Sequence, residues 1–406
     1  MRKQLLTAAA LAAPIAAAHP AYAASGDPVV VSDSLTIDPI IDGRLRYETV
    51  DQDNAARNAD ALTMRLRAGA EFKMNNLSLL VEAEGTLAMI DDYNDTNVGN
   101  GVEPYSVVAD PDNVELNRLQ LMYKQGASAV TLGRQRIILD NARFVGNVGW
   151  RQNEQTFDAI RGQTKVGPVS LDATYSIAQH TIFGVDAGPR QNFQGDFIFA
   201  GAGVDAGPIK LKGFAYLLDF DDALANSTQT YGARATASFP LGTGFKLDLA
   251  ASYAKQKDYK NSPLDYSADY IHGEAGVSFS GFGLKAGYEL LGSDNGAGFR
   301  TPMATLHAFN GWADVFLNTP PAGIEDIYFG ASYNFKGLDL LPGLNAQVVY
   351  HEFDSDVGSI SYGSEWDASL GFKLGPVGIL AKYANYDASG FSVDTEKFWL
   401  QAEFKF

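Results

Sequence analysis

Seven arginines have a spacing that could do chemistry. Arg44 and Arg46 stand two residues apart, as do Arg65 and Arg67, and Arg134 and Arg136, while Arg118 lies between the second and third pairs. A step of two puts side chains on one face of an extended strand. Guanidinium stays charged and forks onto carboxylates, so rows of it facing a passage would select anions. Glu82 and Glu84 repeat the step with the opposite sign. A second reading therefore stands beside the first: Arg65, Arg67 and Arg118 pair with Glu82 and Glu84 and stiffen a wall. Seven Arg against two Glu leave that wall positive. Arg134 and Arg136 share the parity of Val130 and Leu132, so turning them to the polar face needs a bulge.

Catalysis is poorly supplied. His180, His272, His307 and His351 are scattered, and neither Gly-x-Ser-x-Gly nor His-Glu-x-x-His occurs. The absence of Cys excludes disulfides, thiolate metal sites and thiol nucleophiles. Residues 90–113 are acidic and Asn-rich but lack the Asp-x-Asp-x-Asp-Gly calcium pattern, and they read as a solvated loop. The expectation is a protein that is not an enzyme, with no cofactor and no metal.

The elements that carry the arginines have period two. Leu62, Met64, Leu66, Ala68, Ala70 and Phe72 alternate with Thr63, Arg65, Arg67, Gly69, Glu71 and Lys73. The same alternation recurs over 77–87, 245–253 and 398–406, each run near the ~10 residues that a tilted strand needs to cross hydrocarbon. Short Gly/Pro/Asn turns at 75–76, 125–126, 167–168, 207–208, 242–244, 280–281, 337–343 and 375–376 alternate with longer polar segments. Segregation of loops by length marks a transmembrane antiparallel β-barrel, with turns periplasmic and loops extracellular. Eight turns and two periplasmic termini predict an all-β barrel of about 18 strands, or 16 if two weak strands fail. A β-sandwich would not sort its loops this way.

The address agrees. Arg2-Lys3, the apolar Leu5–Ala18 stretch and Ala21-Tyr22-Ala23 predict a signal peptide over 1–23, leaving 24–406 as the barrel. Cleavage removes two positive charges and takes the net charge from −17 to −19, which speaks against nucleic-acid binding. The chain ends in alternating aromatic and apolar residues at Phe406, a signal for the barrel-assembly machinery. The predicted setting is the outer membrane, among lipid and lipopolysaccharide, as a monomer.

One loop differs from the others. In 293–325, Thr301-Pro302 suits a helix start, Phe309, Trp312 and Phe316 recur at helical spacing, and Pro320-Pro321 ends the segment. A short amphipathic helix is predicted, with Phe309 and Trp312 forming a constriction in the channel mouth or packing against neighbouring loops.

Two stretches resemble a known family. Val130-Thr131-Leu132-Gly133-Arg134-Gln135-Arg136, followed by Trp150 and 155–160, resembles the Gly-Arg-Gln-Arg region of the alginate-export outer-membrane proteins. Residues 304–314, with Thr319-Pro320 after them, resemble a loop of that family's porin-like members. The resemblance implies an 18-stranded barrel with an arginine-lined lumen, and makes Arg44, Arg46, Arg65, Arg67, Arg118, Arg134 and Arg136 candidate contacts for carboxylated sugars. The family's exporters carry an extended periplasmic plug, whereas every turn here is short. The expected function is therefore passive diffusion of small hydrophilic, anionic solutes through a porin-like channel. Export of an acidic polysaccharide such as alginate is the alternative.

Overall fold

The computed structural model describes residues 28–97, 99 and 101–405. The predicted signal peptide and Phe406 lie outside them. Eighteen strands form the barrel. The first six are β1 (Leu35–Gln52), β2 (Ala59–Met74), β3 (Leu77–Asp92), β4 (Asn113–Gln125), β5 (Ser128–Gln135) and β6 (Thr156–Val166). Next come β7 (Val169–His180), β8 (Asn192–Ala206), β9 (Ile209–Phe220), β10 (Thr228–Pro240), β11 (Phe245–Asp258) and β12 (Ser267–Phe279). The last are β13 (Phe282–Leu291), β14 (Ile324–Asn334), β15 (Asn345–Asp354), β16 (Ser361–Leu374), β17 (Val377–Ala388) and β18 (Thr395–Lys405). Each pairs antiparallel with its chain neighbours, and β18 returns to β1 from Asp42↔Lys405 to Gln52↔Thr395. Closure leaves no unpaired edge for a lipid phase to expose. A short strand, Val29–Ser32, folds back onto the start of β1.

The alternation read in β2 decides its facing. Met64 and Leu66 are 43% and 47% exposed on the outside, whereas Arg65 and Arg67 are 0% and 4% exposed within. Leu45, Leu119, Leu132, Ile198, Ile271 and Leu284 continue the outer apolar band. Aromatic residues gather at both of its edges. Phe245 stacks on Phe279 at 4.1 Å near the short turns, and Tyr350 meets Trp366 at 4.9 Å near the long loops. The turns explain the tight side. Gly167-Pro168, Gly207-Pro208 and Gly375-Pro376 each put a glycine at φ near +60° ahead of a proline. That is the type II′ geometry whose twist matches a hairpin.

The short helix expected within 293–325 does not form; the loop runs over 292–323. The segment holds a two-residue ladder (Ser293–Asp294 with Ala297–Gly298) and a single 3-10 turn, Leu306–Ala308. Asn310, Gly311 and Asp314 take φ of +54°, +85° and +61°, which ends any right-handed helix between the aromatic residues. Phe316 turns instead to Phe353, Tyr362 and Phe391.

The interior is divided. On β6, β8 and β9 the inner face carries Phe157, Phe197, Phe199, Phe214, Tyr216 and Phe220, all buried, while β7 between them turns Thr174 and Ser176 inward. Phe144 from loop 136–155 and Phe299 from loop 292–323 pack on them, with Phe144 lying 5.3 Å from Phe214 and 5.1 Å from Tyr270. Gly232 on β10 makes room for the ring of Phe214, whose Cζ would lie 2.4 Å from an added Cβ. On β1–β3 and β16–β18 the inner face carries the buried charges, Arg44, Arg46, Arg65, Arg67, Glu82, Glu84, Glu365, Asp367, Lys382, Lys397 and Glu403 among them, with Leu380, Ala384, Tyr386 and Trp399 set between them on β17 and β18.

Candidate functional site

The charged wall is built by strands at both ends of the chain. Arg44 and Arg46 project inward from β1, Arg65 and Arg67 from β2, and Glu403 from β18, all buried. Arg44 donates to the backbone oxygens of Trp150 (2.8 Å) and Arg151 (3.1 Å) and to Glu403 (3.3 Å). Arg46 donates to Gln401 Oε1 at 2.7 Å and to Trp150 O. Arg65 is paired with Asp42, and with Glu403 at 3.4 Å. Arg67 is paired with Glu84, and Arg118 forks onto Glu82 at 2.8 and 2.6 Å.

The expected Arg–Glu pairing along the wall is therefore present for Arg67 and Arg118. The predicted excess of positive charge is offset by carboxylates that the strand pattern did not single out: Asp42, Glu48, Glu403 and, from the loops, Asp110 and Glu154. Removing one partner from such a buried pair costs about 3–5 kcal/mol, so the wall is rigid.

Arg134 is not part of it. It lies opposite Leu119 and Asp158 in the ladders, on the outward face shared with Leu121 and Leu132. The bulge that would have turned it inward is absent before it, and Asp158 meets its guanidinium at 2.9 and 3.2 Å. Its neighbour Arg136 leaves the strand, enters loop 136–155 and pairs inward with Glu154 at 2.7 Å.

Two long loops fold inward and join each other. Gly146 N donates to Met303 O at 2.8 Å, Thr305 N to Ala142 O at 2.9 Å, and Gln155 Nε2 to Met303 O at 3.0 Å. Loop 136–155 bridges the barrel. Arg143 forks onto Glu289 of β13 at 2.9 and 3.0 Å, and Arg151 reaches Glu48 of β1 at 3.1 Å and Asp314 at 2.8 Å. Burial alone would raise the Glu154 pKa, but Arg136 and Arg67 hold it well below the usual carboxylate range. Burial would likewise lower that of Arg151, and Glu48, Asp110 and Asp314 more than reverse it.

Where the loops meet the wall lies a cavity of about 330 Å³, lined by Arg44, Arg67, Arg136, Lys382, Lys405 and Glu403 with Trp150, Trp312, His307 and Asn147. Trp312 lies in this lining. Phe309 faces a smaller adjoining cavity, with the Arg143 guanidinium 4.6 Å from its ring. Five cations and one carboxylate face the larger space among the described residues. Arg44 Nε and Trp150 Nε1 are buried there without a hydrogen-bond acceptor. Sequence reasoning missed Lys382, because Leu380, Lys382, Ala384 and Tyr386 share a face with no charge pattern. Trp399 was visible on the polar face of β18, and Arg143 and Arg151 lie in loops where no periodicity could point to them.

Comparison with known proteins places this geometry. Solved structures share the fold at low identity. OccK9 (OpdG) of Pseudomonas aeruginosa is 16% identical with a TM-score of 0.70, covering 91% of this chain and 98% of that one. OpdK of the same organism, solved with vanillate, is 15% identical with a TM-score of 0.71 and the same coverage. OccAB4 of Acinetobacter baumannii is 13% identical with a TM-score of 0.69, again at 91% and 98%. No curated protein matches the sequence. These matches do not support the resemblance to alginate-export proteins, and export of that polymer is not favoured. A family model described as Gram-negative porin matches residues 7–313. With its closed 18-stranded barrel, this chain belongs to the Gram-negative porins, channels of the outer membrane for small hydrophilic solutes.

Proposed function

We propose that the channel selects small carboxylate-bearing solutes and passes them by diffusion along the arginine side of the lumen. The observation that carries this reading is the cavity facing: five cations and one carboxylate, with Arg44 Nε and Trp150 Nε1 as spare buried donors. The indoles of Trp150 and Trp312 add flat apolar surface beside the charge, which suits a planar carboxylate. Vanillate, present in the OpdK structure, has that chemistry, and carboxylated sugars share the charge. The contacts of this reading are Arg44, Arg67 and Arg136, with Trp312 bounding the space. Arg46, Arg65, Arg118, Glu82 and Glu84 keep the wall in place. The reading is of a monomeric pore, one chain supplying the whole wall, addressed by residues 1–23 and assembled from its C-terminal strand; diffusion needs neither cofactor nor enzymatic step.

Planar-bilayer reversal potentials and liposome swelling test the proposal. Anion selectivity and faster entry of vanillate than of its uncharged alcohol are expected, and Arg44→Gln with Arg67→Gln should reduce both. Cation selectivity that the double substitution leaves unchanged would overturn the reading.

A further inference from the structure

Lys382 is a buried cation held without an ion pair. Its Nζ lies 3.7 Å from the ring centroid of Trp312, 4.1 Å from that of Trp150 and 5.4 Å from that of Trp399. Among the described residues no carboxylate oxygen lies within 4.0 Å of it, and its hydrogen-bond partner is His307 Nε2 at 2.7 Å. Ammonium only donates, so Nε2 accepts. The other ring nitrogen, Nδ1, then donates to Asp314 at 2.7 Å. His307 is therefore neutral in this arrangement, stacked on Trp150 at 4.4 Å with ring planes 5° apart.

Charged groups face this centre from every side. Arg151 and Lys397 hold Asp314 at 2.8 and 3.2 Å. Arg46 lies 4.1 Å from the Trp150 ring on its approach from β1. Asp367 and Glu365 on β16 accept from the backbone of Trp312 and Ala313 at 3.2 and 2.7 Å.

We propose that His307 and Lys382 are positioning residues forming a proton-released latch on the pore constriction. A proton on Nε2 removes the acceptor and sets two cations against each other in a desolvated site. The Trp150–His307 stack then loosens, Lys382 leaves the Trp312 ring, and the space beside the arginines widens. The loop itself stays, because Arg151, Lys397, Glu365 and Asp367 still hold it. Burial, together with Lys382 and against Asp314, keeps the His307 pKa well below 6.5. Release returns it to an ordinary solvated value, so the released state binds the proton more tightly. Through His307 the latch weakens by about tenfold per pH unit below about pH 6.5.

The proposal rests on the chain conducting, which recordings at pH 7.5 establish separately. On lowering the pH to 5.0, the occupancy of a wider conductance state should rise by about tenfold per unit. His307→Gln should abolish that dependence, because the amide can accept from Lys382 and donate to Asp314 without titrating. Lys382→Met should populate the wider state already at pH 7.5, with heat-modifiable gel mobility confirming a folded barrel. Amide-exchange protection over residues 305–314 at the two pH values gives the same reading without any current. A flat wild-type profile, or a His307→Gln profile with the wild-type slope, would overturn the latch.

Discussion

The two halves of the lumen solve the same packing problem with opposite chemistry. Around β6–β9 the barrel is filled by rings, with Phe199 5.9 Å from Tyr216 and Phe197 4.8 Å from Phe220. Around β1–β3 and β16–β18 it is filled by paired charge, as at Arg65–Asp42 and Arg118–Glu82. The aromatic half gains from burial itself, since apolar area removed from water is favourable wherever it goes. In the charged half, burial costs free energy that only well-placed partners offset. One half is thus a filler that anchors the loops, and the other is a fixed array of donors that a solute can read.

Three substitutions would break or sharpen this contrast. The largest effect is expected at Glu154, which holds Arg136 and Asn117, at 2.7 Å each, and Asn147. Glu154→Ala leaves Arg67 and Arg136 without that partner and should cost about 3–5 kcal/mol. Urea unfolding in lipid vesicles would show the loss, and reversal potentials should move further toward anions. Phe199→Ala, in the other half, should cost a similar or slightly smaller ~3–4 kcal/mol by opening a cavity while leaving ion selectivity where it was. A selectivity shift there would mean that the aromatic half is not mere filler. The smallest effect is expected at Arg134. Because it faces outward beside Asp158, Arg134→Gln should change neither conductance nor selectivity, and a loss of anion preference would place it in the solute path.

Much of this contrast was legible before any coordinates. Period two in 62–73 placed Arg65 and Arg67 on the inner face, and the sorting of loops by length set the strand number. What stayed hidden depends on contacts across long chain distances. Nothing near Arg44 announces Glu403, and loop residues such as Glu154 follow no period. The inward Phe197 and Phe199 were hidden for another reason. Their outward neighbour Ile198 is apolar as well, so no polar face marks the inside. Arg134 joined the lumen arginines on its spacing from Arg136, against the parity it shares with Val130 and Leu132, and no bulge turns it inward; the helix expected around Trp312 failed because Asn310, Gly311 and Asp314 adopt left-handed backbone.

The seam between β1 and β18 has a consequence for how the barrel is made. The contacts Arg44–Glu403, Arg46–Gln401 and Arg65–Glu403 span 359, 355 and 338 residues of chain. Pairing at such separation is among the slowest events in folding. A barrel with seventeen hairpin contacts made and the last one open holds Arg44 and Arg65 without Glu403. Zipping the seam and pairing Arg44 with its carboxylate are then a single event. The electrostatics of the finished pore would serve as its own assembly check, since a chain that fails to close keeps Arg44 without its carboxylate and Arg46 without Gln401.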